Sequence, residues 1–140
     1  MTFSITKLHE HYIGGLVLPG FGPGGGDRKV ELMDFTQDRL RARGLQELLV
    51  LYICHAEVGW TALVGTRCKG LADLTVGDSL FLVPTAYFAH FVPEDDYDPD
   101  DDLWAQVDRA EKEERIDRAY RGEIAVVGPS GTTDLYVSLL

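Results

Sequence analysis

His9-Glu10-His11 places two imidazoles two residues apart. On a strand that spacing puts both on one face, where they can grip a metal. His55 and His90 are the other histidines and would extend the set if their strands lay alongside. Cys54 and His55 are neighbours, so on a strand they point to opposite faces and cannot form a dyad; Cys68 completes no Cys-x-x-Cys pair. Asp96, Asp98 and Asp100 open like a calcium loop, but its sixth position is Asp101 instead of Gly and its twelfth is Val107 instead of Glu. Ser130 lies in Gly128-Pro129-Ser130-Gly131, between predicted strands and away from any strand-to-helix elbow. None of these arrangements nominates a catalytic residue. A surface histidine pair is the preferred reading, with no metal and no cofactor expected. A metal-dependent small β-barrel enzyme using His9 and His11 is the alternative.

A second chemistry is purely electrostatic. Glu94, Asp95, Asp96, Asp98, Asp100, Asp101 and Asp102 put seven carboxylates into nine residues. Residues 94–123 carry 13 acids and 5 bases, so most of the formal charge of −10 sits there. Such a segment repels nucleic acid and anionic membrane and attracts a basic partner. Tyr97 and Trp104 lie within or beside the run, and aromatic anchors ringed by charge are the usual make-up of a binding patch. The sequence therefore predicts a non-catalytic protein-binding module, in its concrete form an immunity- or antitoxin-like inhibitor of a basic toxin or enzyme. Charge on Glu94, Asp95, Asp96, Asp98, Asp100, Asp101 and Asp102 would steer the encounter, and Tyr97 and Trp104 would hold it.

The elements that must position these residues are mostly strands. The chain has 140 residues, enough for one core without staples, and 45% hydrophobic against 26% charged residues, a globular balance. Leu48 to Cys54, its longest apolar run, has seven residues, against about 20 needed to cross a bilayer. The amino-terminal residues lack the order of a signal peptide, so a bacterial, cytoplasmic location is expected, with Cys54 and Cys68 as small hydrophobes and not a disulfide.

Period-2 alternation or short apolar runs predict strands at Phe3–Leu8, Leu16–Leu18, Lys29–Phe35, Leu48–His55, Trp60–Arg67, Ser79–Val83 and Tyr87–Val92. Thr36 to Arg43 reads as a short helix stopped by Gly44, although residues 36–46 stay ambiguous between helix and strand. Residues 102–121 read as one long amphipathic helix carrying i, i+4 pairs Glu111–Arg115, Glu114–Arg118 and Asp117–Arg121, ended by Gly122. Ile124–Val127 and Leu135–Leu139 read as a closing hairpin. No internal repeat is apparent. The predicted fold is mainly β, a small closed or partly closed barrel with that long carboxy-terminal helix and a terminal hairpin. It forms a single domain over 1–140: a barrel core (1–93), an acidic loop (94–102) and helix plus hairpin (103–140).

Phe3, Ile5 and Leu8, then Gly14-Gly15-Leu16-Val17-Leu18-Pro19-Gly20, then Gly59 to Leu63 and Gly70 to Leu80, carry a family resemblance. Residues 3–84 resemble the small β-barrel that forms the second domain of translational GTPases. The resemblance implies a barrel fold and contact with RNA. No Gly-x-x-x-x-Gly-Lys-Ser/Thr is present, and the only basic cluster is Arg39, Arg41 and Arg43 with Arg28 and Lys29 upstream. A translation-associated RNA-binding barrel is accordingly the second alternative, with nucleic acid disfavoured by the acidic balance. His9-Glu10-His11 is also similar to the His-x-His of cupin barrels, but Gly15 and Leu16 stand where that family places a Glu.

Overall fold

Phe3–Leu8 without a fully buried residue and unbroken burial along Leu48–Tyr52 are the signatures of an edge strand and a doubly covered central strand. A computed structural model describes residues 3–23, 27–45, 47–57, 59–93, 103–128 and 131–140. The elements are β1 (Phe3–Leu8), β2 (His11–Pro19), α1 (Asp27–Arg41), β3 (Leu48–His55), β4 (Gly59–Cys68), β5 (Ser79–Val83), β6 (Ala86–Phe91), α2 (Leu103–Lys112), β7 (Glu123–Gly128) and β8 (Gly131–Ser138). All eight strands join one antiparallel sheet in the order β1-β6-β8-β7-β3-β4-β2-β5.

That order contains a twofold repeat. Each half of the chain runs strand, strand, helix, strand, strand, and exchanging β1–β4 with β5–β8 turns the sheet order into its own reverse. The seam is β3 against β7, where Leu48 faces Val127 and Tyr52 faces Glu123. Nothing in the residue types marks the repeat, because strand and helix positions need only the apolar pattern and not particular side chains.

The sheet is apolar on both faces. On one, Val50, Tyr52, Ala62, Val64, Phe91, Ala125, Leu135 and Val137 pack with Leu40 from α1 and Leu103, Val107 and Ala110 from α2. On the other, Ile13, Leu49, Leu51, Leu63, Val83, Phe88 and Ile124 form a second cluster to which neither helix contributes. The sheet wraps to cover it. Two-residue links, His9-Glu10 and Pro84-Thr85, join strands from opposite edges. They meet where the Glu10 amide donates to Thr85 Oγ1 at 2.9 Å.

Four expectations are corrected. The fold is not a closed or partly closed barrel but an open sheet: among the described residues β1 pairs only with β6 and β5 only with β2. A barrel has one inner face, whereas this chain has two apolar faces and covers one with helices. The hairpin β7–β8 lies inside the sheet instead of packing on it.

Lys29–Phe35 belongs to a helix and not a strand. Its buried positions, Thr36, Gln37 and Leu40 with half-buried Met33, recur at i, i+3, i+4 and i+7, a helical stripe that overrides the local alternation.

The long helix 102–121 is also absent, since α2 stops at Lys112. Glu114 takes a left-handed φ of 59°, its N–H bonding the Glu111 carbonyl while the Arg115 N–H reaches back to Ala110. This is a Schellman ending on a residue other than glycine, so no sequence signal marked it. Turning the chain there buries Ile116, which a straight helix would have left among the charges 111–118. Among the described residues no helix is long and apolar enough to cross a membrane.

Candidate functional site

A cleft of about 330 Å³ opens on the helix-covered face, lined by Pro23, Trp60, Trp104, Asp108, Glu111, Arg118 and Tyr120. Its floor comes from the sheet, where the end of β3 meets the starts of β4 and β7 and cross-strand pairing sets Cys54 against Trp60 and Tyr52 against Glu123. Helix α2 forms a wall. Leu103, Gln106, Val107 and Ala110 face the core, which leaves Trp104, Asp108 and Glu111, at i, i+4 and i+7, on the stripe toward the cleft. The turn after α2 supplies the other wall. A bond from the Ala119 N–H to the Ser138 carbonyl (2.8 Å) and a bridge between Arg118 and Leu139 fix its backbone. The Gly20 N–H donates to the Trp60 carbonyl at 3.0 Å and holds the chain leaving β2, with Pro23, over the rim.

The rings interlock. Trp104 meets Tyr52 edge-on at 5.5 Å, and Trp60 meets Tyr120 at 6.2 Å in a tilted edge contact. Tyr120 adopts φ 56°, a conformation that costs a non-glycine residue about 1–2 kcal/mol and that the surrounding contacts must hold.

Among these rings lies one guanidinium shared by three carboxylates. Arg118 donates from Nε and Nη2 to Glu123 Oε1 (3.0 and 2.7 Å) and from Nη2 to Oε2 (2.6 Å). Its Nη1 lies 3.4 Å from Asp108 and 3.7 Å from Glu111. Its plane sits 4.4 Å from the Tyr120 ring centroid, a cation–π contact. The Arg118 side chain is 5% exposed and that of Glu123 0%, so Glu123 lies behind Arg118 and out of the cleft lining. Burial pushes the Glu123 carboxyl above the usual carboxylate range, with Arg118 pulling it back. Burial alone would lower Arg118, but Glu123, Tyr120 and Glu111 outweigh it and hold the guanidinium charged.

Tyr120 donates its hydroxyl to Glu111 at 2.8 Å. Burial and that bond push its phenol up to about 12, and burial alone does the same for Tyr52. The native state therefore keeps protons that the unfolded chain releases near 10. Stability from these two groups is fully present below pH 10 and is lost as pH rises through about 12. In an ultraviolet titration of phenolate, at least two of the six tyrosines are expected to stay un-ionised at about pH 11, and Tyr120→Phe should remove one of them. Six phenols titrating together near the ordinary value would contradict the geometry.

Of the residues singled out from sequence, Trp104 is in this cleft, half-buried in its wall. Glu94, Asp95, Asp96, Tyr97, Asp98, Asp100, Asp101 and Asp102 lie outside the described residues. The histidines have separate partners. His11 Nδ1 is 2.8 Å from the His9 carbonyl, the Glu57 N–H donates to His55 Nδ1, and His90 Nε2 is 3.0 Å from Asp134 while its ring stacks on Tyr136. Among the described residues no three His, Cys, Asp or Glu side chains gather as a metal site. Cys54 and Cys68 are free and half-buried.

The chain's own groups engage the three arginines. Arg43 forks onto Asp78 at 3.0 Å, Arg41 reaches Asp38 and the Gly128 carbonyl, and Arg39 lies over Phe35. The expected pairs Glu111–Arg115, Glu114–Arg118 and Asp117–Arg121 lost their helical register when α2 ended. Sequence reasoning missed Trp60, Asp108, Glu111, Arg118, Tyr120 and Glu123 as a group. Only the Trp104, Asp108, Glu111 stripe was within its reach.

No protein-family model matches the chain, and no curated protein does. Solved structures do. SAV2435, solved bound to tetraphenylphosphonium, superposes with a TM-score of 0.72 at 9% identity, covering 100% of this chain and 94% of that one. The shared property is the fold. An integron cassette protein from the mobile metagenome of Vibrio cholerae follows at 0.61 and 12% identity, over 99% of this chain and 95% of that one. A putative bacterial transcription regulation protein from Staphylococcus aureus MU50 matches at 0.61 and 9% identity, over 99% and 98%. None of these three bears the name of a translation factor.

Proposed function

We propose that this chain is a binding module for small aromatic or lipophilic organic cations, which it takes up in the cleft beside α2. One observation carries the reading: the cleft already holds a cation. Arg118 lies against the Tyr120 ring and among Asp108, Glu111 and Glu123, and those three carboxylates against one guanidinium leave two negative charges in excess. Trp60 and Trp104 add two further ring systems to the walls. Quaternary cations are recognised by such aromatic surroundings, and the volume falls at the lower end of small-molecule sites. Further support comes from the protein of like fold solved with tetraphenylphosphonium, itself a lipophilic cation.

Both tryptophans of the chain line the cleft, so their fluorescence reports directly on occupancy. Titration with tetraphenylphosphonium is expected to give a saturable change. Tetraphenylborate, which carries the same four phenyl groups on an anion, should bind at least about tenfold more weakly, as a desolvated cation–π contact with carboxylate pairing implies. Equal binding of the two compounds, or no saturable change with either, would defeat the reading.

A further inference from the structure

We propose that Arg118 is a resident cation that competes with the ligand for Glu123, so that the swing of one side chain sets the affinity of the site. This rests on the cation-binding reading and deepens it. The backbone of Arg118 cannot move far. It is bridged to Leu139, with the Ala119 N–H on Ser138, the Arg121 N–H on Ser138 Oγ and the Leu140 N–H on the Asp117 carbonyl. What can move is the long side chain, whose outer nitrogen has only the looser contacts to Asp108 and Glu111 at 3.4 and 3.7 Å.

With Arg118 in place, both oxygens of Glu123 are occupied and the Tyr120 face is covered. An incoming cation then has only Asp108 and Glu111 at the mouth, of which Asp108 is 63% exposed and strongly screened by water. Glu123 is the one fully buried carboxylate of the site, where a charge interaction is strongest, and Arg118 stands between it and the cleft. Rotating Arg118 toward Asp108 and Glu111 would uncover both the ring and Glu123 while keeping the guanidinium paired. A ligand binds tightly only if its contacts exceed those that Arg118 gives up, so the residue discriminates against small, weakly held cations.

Two measurements test this. Tetraphenylphosphonium affinity is compared for the native chain, Arg118→Met and Arg118→Lys. At a pH that keeps Glu123 ionised, the Met variant removes the competitor and is expected to bind at least tenfold more tightly; the Lys variant keeps a cation but not the fork, and should fall between the native chain and the Met variant. In the native chain, NMR follows the Nε–H of Arg118, whose resonance should lose the position set by its carboxylate fork as the site saturates. That readout needs no variant to fold. An unmoved Nε–H resonance at saturation overturns the inference, as does a folded Met variant that binds no tighter, and either result leaves cation binding intact. No binding by the native chain or either variant defeats the parent reading, and this inference falls with it.

Discussion

Glu123→Ala is expected to lower the free energy of unfolding by about 3–5 kcal/mol, a large share of the roughly 5–15 kcal/mol that holds a domain of this size. The reason is asymmetry. Glu123 is fully buried and its carboxylate takes three of the contacts of a guanidinium whose side chain is 5% exposed. Removing the acid leaves a buried positive charge with Asp108 and Glu111 at 3.4 and 3.7 Å, both far more exposed than Glu123. Removing both partners is a different perturbation. Arg118→Met with Glu123→Leu replaces the ion pair by apolar groups of similar volume and is expected to recover most of the loss. Urea denaturation of the native chain, Arg118→Met, Glu123→Leu and the double variant gives the coupling directly. The midpoint should fall in the single Glu variant with an unchanged slope. A loss below about 1 kcal/mol for Glu123→Ala, the size of a surface effect, would show that the pair is not buried as described.

The same pair explains why so little of the site was readable in the sequence. Glu123 and Arg118 are five residues apart across a turn in which Tyr120 takes a left-handed φ, and no helical or strand period links such positions. Arg118 looked like the natural i, i+4 partner of Glu114 only because the helix was drawn past Lys112. A Schellman ending with glutamate at its left-handed position leaves no glycine to read, so that error propagated to Tyr120 and to three ion pairs. In the sequence Trp104 stands out for its acidic neighbours on the amino-terminal side. Its working neighbours are Asp108 and Glu111 on the carboxy-terminal side, a stripe that appears once the helix is known to turn toward the sheet.

The strands fared better, for a physical reason. Burial on one or both faces writes itself into alternation or into an apolar run, and Leu48–His55 and Ser79–Val83 were bounded at the observed residues. Pairing order leaves no such trace. A barrel and a wrapped open sheet ask for the same strands, and what separates them here is the helix stripe of Met33, Thr36, Gln37 and Leu40, of which Met33 falls in the stretch that reads locally as a strand.

Gly65→Ala is expected to be, with Gly15→Ala, among the most damaging single methyls in the described residues, with a cost above about 3 kcal/mol, beyond the usual range for point mutants. Gly65 of β4 faces Gly15 of β2, and a Cβ on Gly65 would lie 1.9 Å from the Gly14 carbonyl oxygen, 2.6 Å from its carbon and 3.0 Å from the Gly15 Cα. All three are backbone atoms, so no rotamer change can make room and the strands must part. Glycine is required here for close approach and not for an unusual φ. Gly77→Ala isolates the difference. Its φ of 91° strains an alanine, but nothing lies within 4 Å, so the cost should stay near the 1–2 kcal/mol of the left-handed region. Thermal or urea unfolding of the two variants should therefore separate them clearly, with Gly65→Ala far the worse. Equal losses would mean that β2 and β4 are not drawn together at this point.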